Sequence, residues 1–220
     1  MSCVVPDFSP IRRLWDITDD CGYSEKEINK FALVWGPVPA VLRAYLLQLG
    51  AHQGLNHSQE WLMPLDKPYP FALNRPDGYQ IFYVENQGVY AWGIRGDDAL
   101  RDNPPVYVTE DESEWHLESQ TLTDFLVSMA HWQAGLGLPY YGTDFWWMTP
   151  TEVELIRSRF KPACQPFRYT WRAEFYANHD DESLVIMSAP GDEPQMFYAA
   201  RSQEHLEAMQ ALLEGIGEAV

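Results

Sequence analysis

Six histidines, three cysteines and a dense run of carboxylates are the side chains with which this chain could do chemistry. The histidines are His52, His57, His116, His131, His179 and His205. His52 and His57 share an expected loop, and no other pair is close in sequence. A zinc site built from Cys and His needs tightly repeated ligands, and no CxxC or paired Cys/His spacing occurs. Cys3, Cys21 and Cys164 are far apart and odd in number, which argues against a disulfide framework. Cys164, within Lys161-Pro162-Ala163-Cys164-Gln165-Pro166, reads as a small apolar loop residue rather than a nucleophile. His131, beside Trp132 in an expected helix, reads as an ordinary partly exposed histidine. Ser/His/Asp hydrolysis calls for a serine on a strained G-x-S-x-G turn, and none is present. Gly135-Leu136-Gly137 lacks the third glycine and the strand-to-helix context of a phosphate loop. The expectation is a protein without catalytic residues, metal or cofactor.

The carboxylates carry the stronger signal. The formal net charge is -17. A surface this acidic repels phosphate backbones, so nucleic acid is a poor partner and a basic protein surface a good one. Solubility alone also favours acidity. The acids are concentrated in Asp97, Asp98, Asp102, Glu110, Asp111, Glu112, Glu114 and Glu118, with Arg101 the single base among them. Asp180-Asp181-Glu182 and Asp192-Glu193 form smaller clusters. Paired carboxylates can do general acid–base work, yet acid-rich loops are more often solvated surface.

These side chains must be positioned by regular elements. The chain's 220 residues suffice for a core that needs no disulfide or metal. No run of apolar residues is long enough to span a bilayer, and the first residues lack the basic and apolar regions of a signal peptide, so a cytoplasmic protein without membrane contact is expected. Ser24 with Glu27 predicts a capping box, followed by Ile28, Phe31, Ala32 and Trp35 at helical spacing and a stop at Gly36-Pro37. Pro39 then opens a second helix that buries Val41, Leu42, Tyr45, Leu46 and Leu49. Trp61-Leu62-Met63-Pro64-Leu65 reads as a short edge strand. Residues 80–84 and 89–94 form a β-hairpin around Gln87-Gly88, with Gly88 free to take positive φ. Val106-Tyr107-Val108 follows as a third strand, and Trp115-His116-Leu117-Glu118 as a short one. Residues 121–134 form a helix ended by Gly135, Gly137 and Pro139. Thr149-Pro150-Thr151-Glu152 caps a short helix carrying Val153, Ile156 and Phe160. Strands over 170–176, 183–187 and 195–200 and a helix capped by Ser202 close the chain. Helices, strands, helices and strands in that order predict an α+β fold with a central, mostly antiparallel sheet flanked by helices. One domain over 1–220 is expected, with the only seam near 135–142.

Several of these stretches together resemble the SUKH superfamily, the relatives of fungal regulators of cell-wall glucan synthesis. The resemblance rests on Trp35-Gly36-Pro37-Val38-Pro39 with Tyr45-Leu46, the Glu85-Asn86-Gln87-Gly88 hairpin with Trp92-Gly93, Asn103-Pro104-Pro105-Val106, and Leu122-Thr123-Asp124-Phe125-Leu126. It covers roughly residues 22–134 and departs from the family's usual pattern at Val38-Pro39 and Leu49-Gly50-Ala51. It implies an α+β domain without catalytic residues. Many bacterial members are read as immunity proteins that bind and neutralise a toxin domain, and fungal members act as interaction hubs.

The resulting expectation is a binding module, of the immunity type, that occludes a toxin's basic active site. Its partner-binding face would hold Asp97, Asp98, Asp102, Glu110, Asp111, Glu112 and Glu114, with Trp92 and Trp115 as anchors. Trp92 qualifies as an anchor only if its side of the strand is exposed. A regulatory scaffold is one alternative. A small-molecule-binding or hydrolytic protein that uses the aromatic segment 136–147 is another. There Tyr140-Tyr141 and Trp146-Trp147 either line a groove or fill a core. A pocket with converging polar groups would favour the last alternative.

Overall fold

The computed structural model describes residues 6–66, 78–111, 113–142 and 145–219. Among them are helices α1 (Ser9–Trp15), α2 (Glu25–Trp35), α3 (Ala40–Gln48), α4 (Gln53–His57), α5 (Leu122–Gly137), α6 (Pro150–Arg159) and α7 (Gln203–Leu213). The strands are β1 (Trp61–Leu62), β2 (Tyr79–Val84), β3 (Ala91–Arg95), β4 (Val106–Thr109), β5 (His116–Ser119), β6 (Tyr140–Tyr141), β7 (Trp146–Trp147), β8 (Lys161–Pro162), β9 (Glu174–Ala177), β10 (Glu182–Met187), β11 (Gln195–Ala200) and β12 (Glu218–Ala219). The chain forms two compact units, one of Met1–Phe8 with Thr18–Leu126, the other of Ser9–Ile17 with Val127–Val220. Each unit carries its own antiparallel sheet and helices, so the fold is α+β.

The first unit follows its sequence cues closely. The Ser24 hydroxyl accepts the Glu27 amide while the Glu27 carboxylate accepts the Ser24 amide at 2.8 Å, the reciprocal box that starts α2. Ile28, Phe31 and Trp35 form its buried stripe, and the Trp35 indole donates to the Ile81 carbonyl at 2.6 Å. Gly36, at φ 110°, ends α2 where any Cβ would meet the Gln80 side-chain amide. The sheet runs β1-β2-β3-β4-β5. Its hairpin turns at Gly88, φ 77°, with the Glu85 carboxylate accepting the Gln87 and Val89 amides at 2.9 and 3.0 Å. A bulge between Ile81 and Tyr83 breaks the alternation of β2. Phe82 and Tyr83 therefore both reach Phe125 of α5, while Ile81 and Val84 cluster with Met63, Trp61, Ala91 and Trp115.

In the second unit the order is β12-β7-β11-β10-β9-β8, with β6 also paired to β11. Met196, Tyr198 and Ile186 face a core filled by Val153, Ile156 and Phe160 of α6 and Leu206, Met209 and Leu213 of α7. Thr149 and Glu152 make a second capping box, as their spacing predicts. Two expectations need correction. The last helix before the aromatic segment does not stop at Gly135: α5 runs on to Gly137. A Cβ at Gly135 would lie 2.7 Å from Phe197, so this glycine permits close helix–strand packing rather than termination. The strand expected from residue 170 begins only at Glu174. Trp171 and Arg172 take φ 49° and 45°, a left-handed turn, and the Trp171 ring stacks on Trp132 at 4.1 Å.

Candidate functional site

The loops between antiparallel strands alternate between the two ends of a sheet, and this decides where the first unit's acids lie. The β3–β4 connection carries Asp97, Asp98 and Asp102, whereas the β4–β5 connection carries Glu110, Asp111 and Glu114. The two groups are separated by the four residues of β4, about 13 Å of strand. They are two acidic ends rather than the single face expected. Glu112 lies outside the described residues.

At the first end, residues 96–102 wind through a 3-10 turn, Gly96–Asp98. Asp97 and Asp102 are exposed. Asp98 is not part of a free acidic surface: it is 7% exposed and pairs with Arg101 at 3.1 Å and Arg95 at 3.4 Å. The Asp102 carbonyl accepts the Val41 amide at 3.0 Å, which ties this loop to the start of α3. Ala99 turns inward, and its neighbour Leu100 stands 84% exposed between the two exposed aspartates. Sequence reasoning passed over Leu100; its only signal is an apolar residue set in Asp97-Asp98-Ala99-Leu100-Arg101-Asp102 with no strand or helix period around it.

At the second end, Asp111 organises its own turn. Its carboxylate accepts the Ser113 hydroxyl at 2.7 Å and the Ser113 amide at 2.9 Å. Those bonds, the hydroxyl foremost, hold its pKa below the usual aspartate value. Glu110 and Glu114 are exposed beside it.

Between the two ends lies one face of the sheet, and Trp115 lies on it. Its ring stacks on Tyr79 at 4.1 Å and 5°. It lies over Gly93, where a Cβ would come 3.0 Å from the indole. Tyr107 meets Tyr79 edge-on at 5.4 Å, and the Arg95 guanidinium sits 6.0 Å from the Tyr107 ring. Trp61, Tyr79, Tyr107 and Trp115 are all half-buried. Trp92 belongs to the opposite side and is corrected from anchor to core. It is 0% exposed, packs against Tyr83 and Phe125, and donates its indole N–H to the buried Glu118 carboxylate at 3.4 Å.

In the second unit the fold assembles groups that are scattered in sequence. His205 Nδ1 lies 2.6 Å from Asp181 Oδ1, with the His179 ring stacked on His205 at 4.2 Å. His131 Nδ1 lies 3.2 Å from Ser183 Oγ, but that hydroxyl donates to the His131 carbonyl at 2.9 Å. Because the hydroxyl proton goes to a carbonyl, the imidazole donates in this pair and is not a base for the serine. Burial pushes the His131 pKa down to about 4. Among the described residues no group of three or more His, Cys, Asp or Glu is placed to hold a metal ion.

The aromatic segment divides. Tyr141 is 60% exposed and Tyr140 is exposed too, whereas Trp146 and Trp147 of β7 border hollows. One, of about 490 Å³, lies beside Trp147 with Glu152, Asp192, Glu193 and Glu218. The other, of about 290 Å³, lies beside Trp146 with Met196, Tyr198 and Leu213. Among the described residues no helix is long and apolar enough to cross a membrane. No family model, no curated protein and no solved structure matches this chain.

Proposed function

We propose that the protein is a non-enzymatic binding module that docks a basic protein surface against the first unit's sheet. The observation that carries this reading is the half-buried aromatic face, with Trp115 stacked on Tyr79, set between two loops of exposed carboxylates. Apolar ring area at the centre and charge at the rim is the usual anatomy of a protein interface. Asp97, Asp102, Glu110, Asp111 and Glu114 raise the encounter rate with a cationic partner, and Leu100 offers an apolar contact at one end. The finer reading is a cytoplasmic immunity protein of the SUKH type that covers the basic active site of a toxin domain. It rests on the sequence motifs given above and on the acidity of the rim.

The test begins with affinity capture on the full chain, followed by stopped-flow association with the purified partner at rising salt. The reading expects a partner with a basic patch and an association rate that falls steeply with ionic strength. Trp115→Ala should speed dissociation, while Asp97→Asn with Asp102→Asn should slow association. A rate indifferent to salt, or a complex insensitive to Trp115, overturns it. A toxin gene beside this one would favour immunity over a regulatory scaffold.

A further inference from the structure

The turn that leads the chain into β9 is chemically unlike the rest of this acidic molecule. Residues 168–172 form a loop closed by the Phe167 amide, which donates to the Ala173 carbonyl at 2.9 Å. Arg168 and Arg172 are the first and last members of that loop, so both side chains leave the backbone next to one closing hydrogen bond. Elsewhere Arg13, Arg43, Arg95, Arg101, Arg157 and Arg201 each pair with a carboxylate, and Arg159 donates to the Leu212 carbonyl. Arg168 and Arg172 are exposed, and neither guanidinium has a partner among the described residues. In a chain with 32 acids and 15 bases, two neighbouring arginines without a carboxylate are the exception.

The backbone of this loop is strained. Trp171 and Arg172 take φ 49° and 45°, and across them the Ala173 amide donates to the Thr170 carbonyl at 3.3 Å. Positive φ at both central residues is the demand of a turn that Asn-Gly meets with least strain. Packing accounts for Trp171, whose ring stacks on Trp132 of α5. Among the described residues no side-chain contact accounts for an arginine at 172. The loop is nevertheless fixed from several sides. The Ser188 amide donates to the Trp171 carbonyl at 2.9 Å, and the Ser128 hydroxyl donates to the Gln165 carbonyl at 2.6 Å. Phe167 is buried edge-on against Phe175. A loop fixed in advance loses little freedom on binding, and strain held in place by its surroundings is a mark of functional sites.

We propose that this turn binds a phosphate monoester presented on a peptide chain, with Arg168 and Arg172 forking its oxygens. Guanidinium groups match phosphate geometry through paired N–H donors. A phosphate monoester carries close to two negative charges at neutral pH and balances both arginines, whereas a carboxylate leaves one unmatched. A net charge of -17 repels a polyanion such as nucleic acid along its length, while a single phosphate meets these two side chains within a Debye length. Both arginines are exposed, so the group is reached from the surface, which suits a phosphorylated side chain on a peptide. The turn lies wholly within the second unit and is independent of the protein-binding reading of the first.

The experiment uses the full chain and four probes: the end-blocked peptide Gly-Ala-phosphoserine-Ala-Gly, its serine and glutamate counterparts, and inorganic phosphate. Amide shifts of residues 168–173 in proton–nitrogen spectra report binding. The phosphopeptide should move them in a saturable way and bind at least about tenfold more tightly than the serine peptide. The glutamate peptide and inorganic phosphate should each be weaker by about fivefold. Arg168→Gln and Arg172→Gln should each weaken the phosphopeptide by about tenfold. Lys26→Gln with Lys30→Gln removes two exposed charges from the first unit and should leave its affinity within about twofold. Arg172→Gly relieves the turn, so it should raise the urea midpoint while weakening the phosphopeptide as much as Arg172→Gln does. Shifts that do not saturate, equal binding of the serine peptide, or an equal loss in the lysine variant would overturn the proposal. So would a glutamate peptide of equal affinity, which assigns the turn to an acidic segment, and inorganic phosphate of equal affinity, which makes it an adventitious ion site only. A urea midpoint lowered by Arg172→Gly makes the arginine structural and overturns it too. Self-association of the wild-type chain that is lost in Arg172→Gln gives the pair to another copy's carboxylates, with the same consequence.

Discussion

Trp92 in the first unit and Trp146 in the second each sit in a short strand, Ala91–Arg95 and Trp146–Trp147, and end in opposite situations. Trp92 is sealed in a core with its indole N–H on the Glu118 carboxylate. Trp146 borders a hollow with its N–H unpaired among the described residues. What differs is what each neighbouring element delivers. Beside Trp92, β5 supplies a carboxylate and α5 supplies the Phe125 ring. Beside Trp146 runs a loop through Gly215 and Gly217, at φ 75° and 74°, and no described residue brings an acceptor to the indole. A tryptophan's role is thus set by whether the neighbouring chain brings an acceptor to it, which strand periodicity does not encode.

The most forceful way to break that comparison is to replace both rings. Trp92→Ala removes a fully buried ring together with the indole N–H that the Glu118 carboxylate accepts, so the first unit should lose about 3–5 kcal/mol. Trp146→Phe removes an N–H that has no partner among the described residues, which favours the variant, and part of a ring packed against the core, which disfavours it, so the second unit's stability should change by less than about 1 kcal/mol. Urea midpoints read from the amides of β3 and of β11 measure the two effects separately. A large loss from Trp146→Phe would mean that its N–H is already satisfied, and the contrast would collapse.

A smaller effect comes from His131, which the sequence left as a partly exposed helix residue and the structure buries. Its folded pKa of about 4 lies below the unfolded value near 6.5, so the unfolded chain takes up the proton first as pH falls. The associated stability is therefore complete above the unfolded pKa and is lost as pH falls through the folded one. By pH 5 the second unit should have lost about 2 kcal/mol to this one group. In His131→Leu, unfolding between pH 7.5 and pH 5 should lose that part of its slope. A wild-type slope in the variant would assign the proton uptake elsewhere.

Much of the fold was legible because its cues are local. The two capping boxes, the stripe of α2, the Gln87-Gly88 turn and the cap of α7 by Ser202 each depend on residues a few positions apart, and each stands where expected. The site was less legible because its decisive facts are long-range. Clustering Asp97 with Glu114 by sequence ignored that consecutive loops of an antiparallel sheet open at opposite ends. The bulge at Ile81 and Tyr83 could not be read from an unbroken run of β-formers. The pairing of Asp181 with His205 spans 24 residues and follows only from the packing of α7. The Trp115 ring sits on the sheet's half-buried face. That position depends on Gly93 having no side chain.

The mildest prediction separates two adjacent acids that sequence treats alike. Asp97 is exposed, and its carboxylate contributes to the acidic rim without holding structure. Asp98 is 7% exposed and is bracketed by Arg95 and Arg101 at 3.4 and 3.1 Å. Both arginines are about half exposed, so solvent screens the pairs and limits what they contribute. Asp98→Asn should cost the first unit about 1 kcal/mol and loosen residues 96–102, read as faster amide exchange at Ala99 and Arg101. Asp97→Asn should shift stability by no more than about 0.5 kcal/mol while slowing association with a basic partner at low salt. Interchanged outcomes would mean that Asp98 faces the partner and Asp97 holds the loop, and the division of the acids into structural and interfacial members would have to be redrawn.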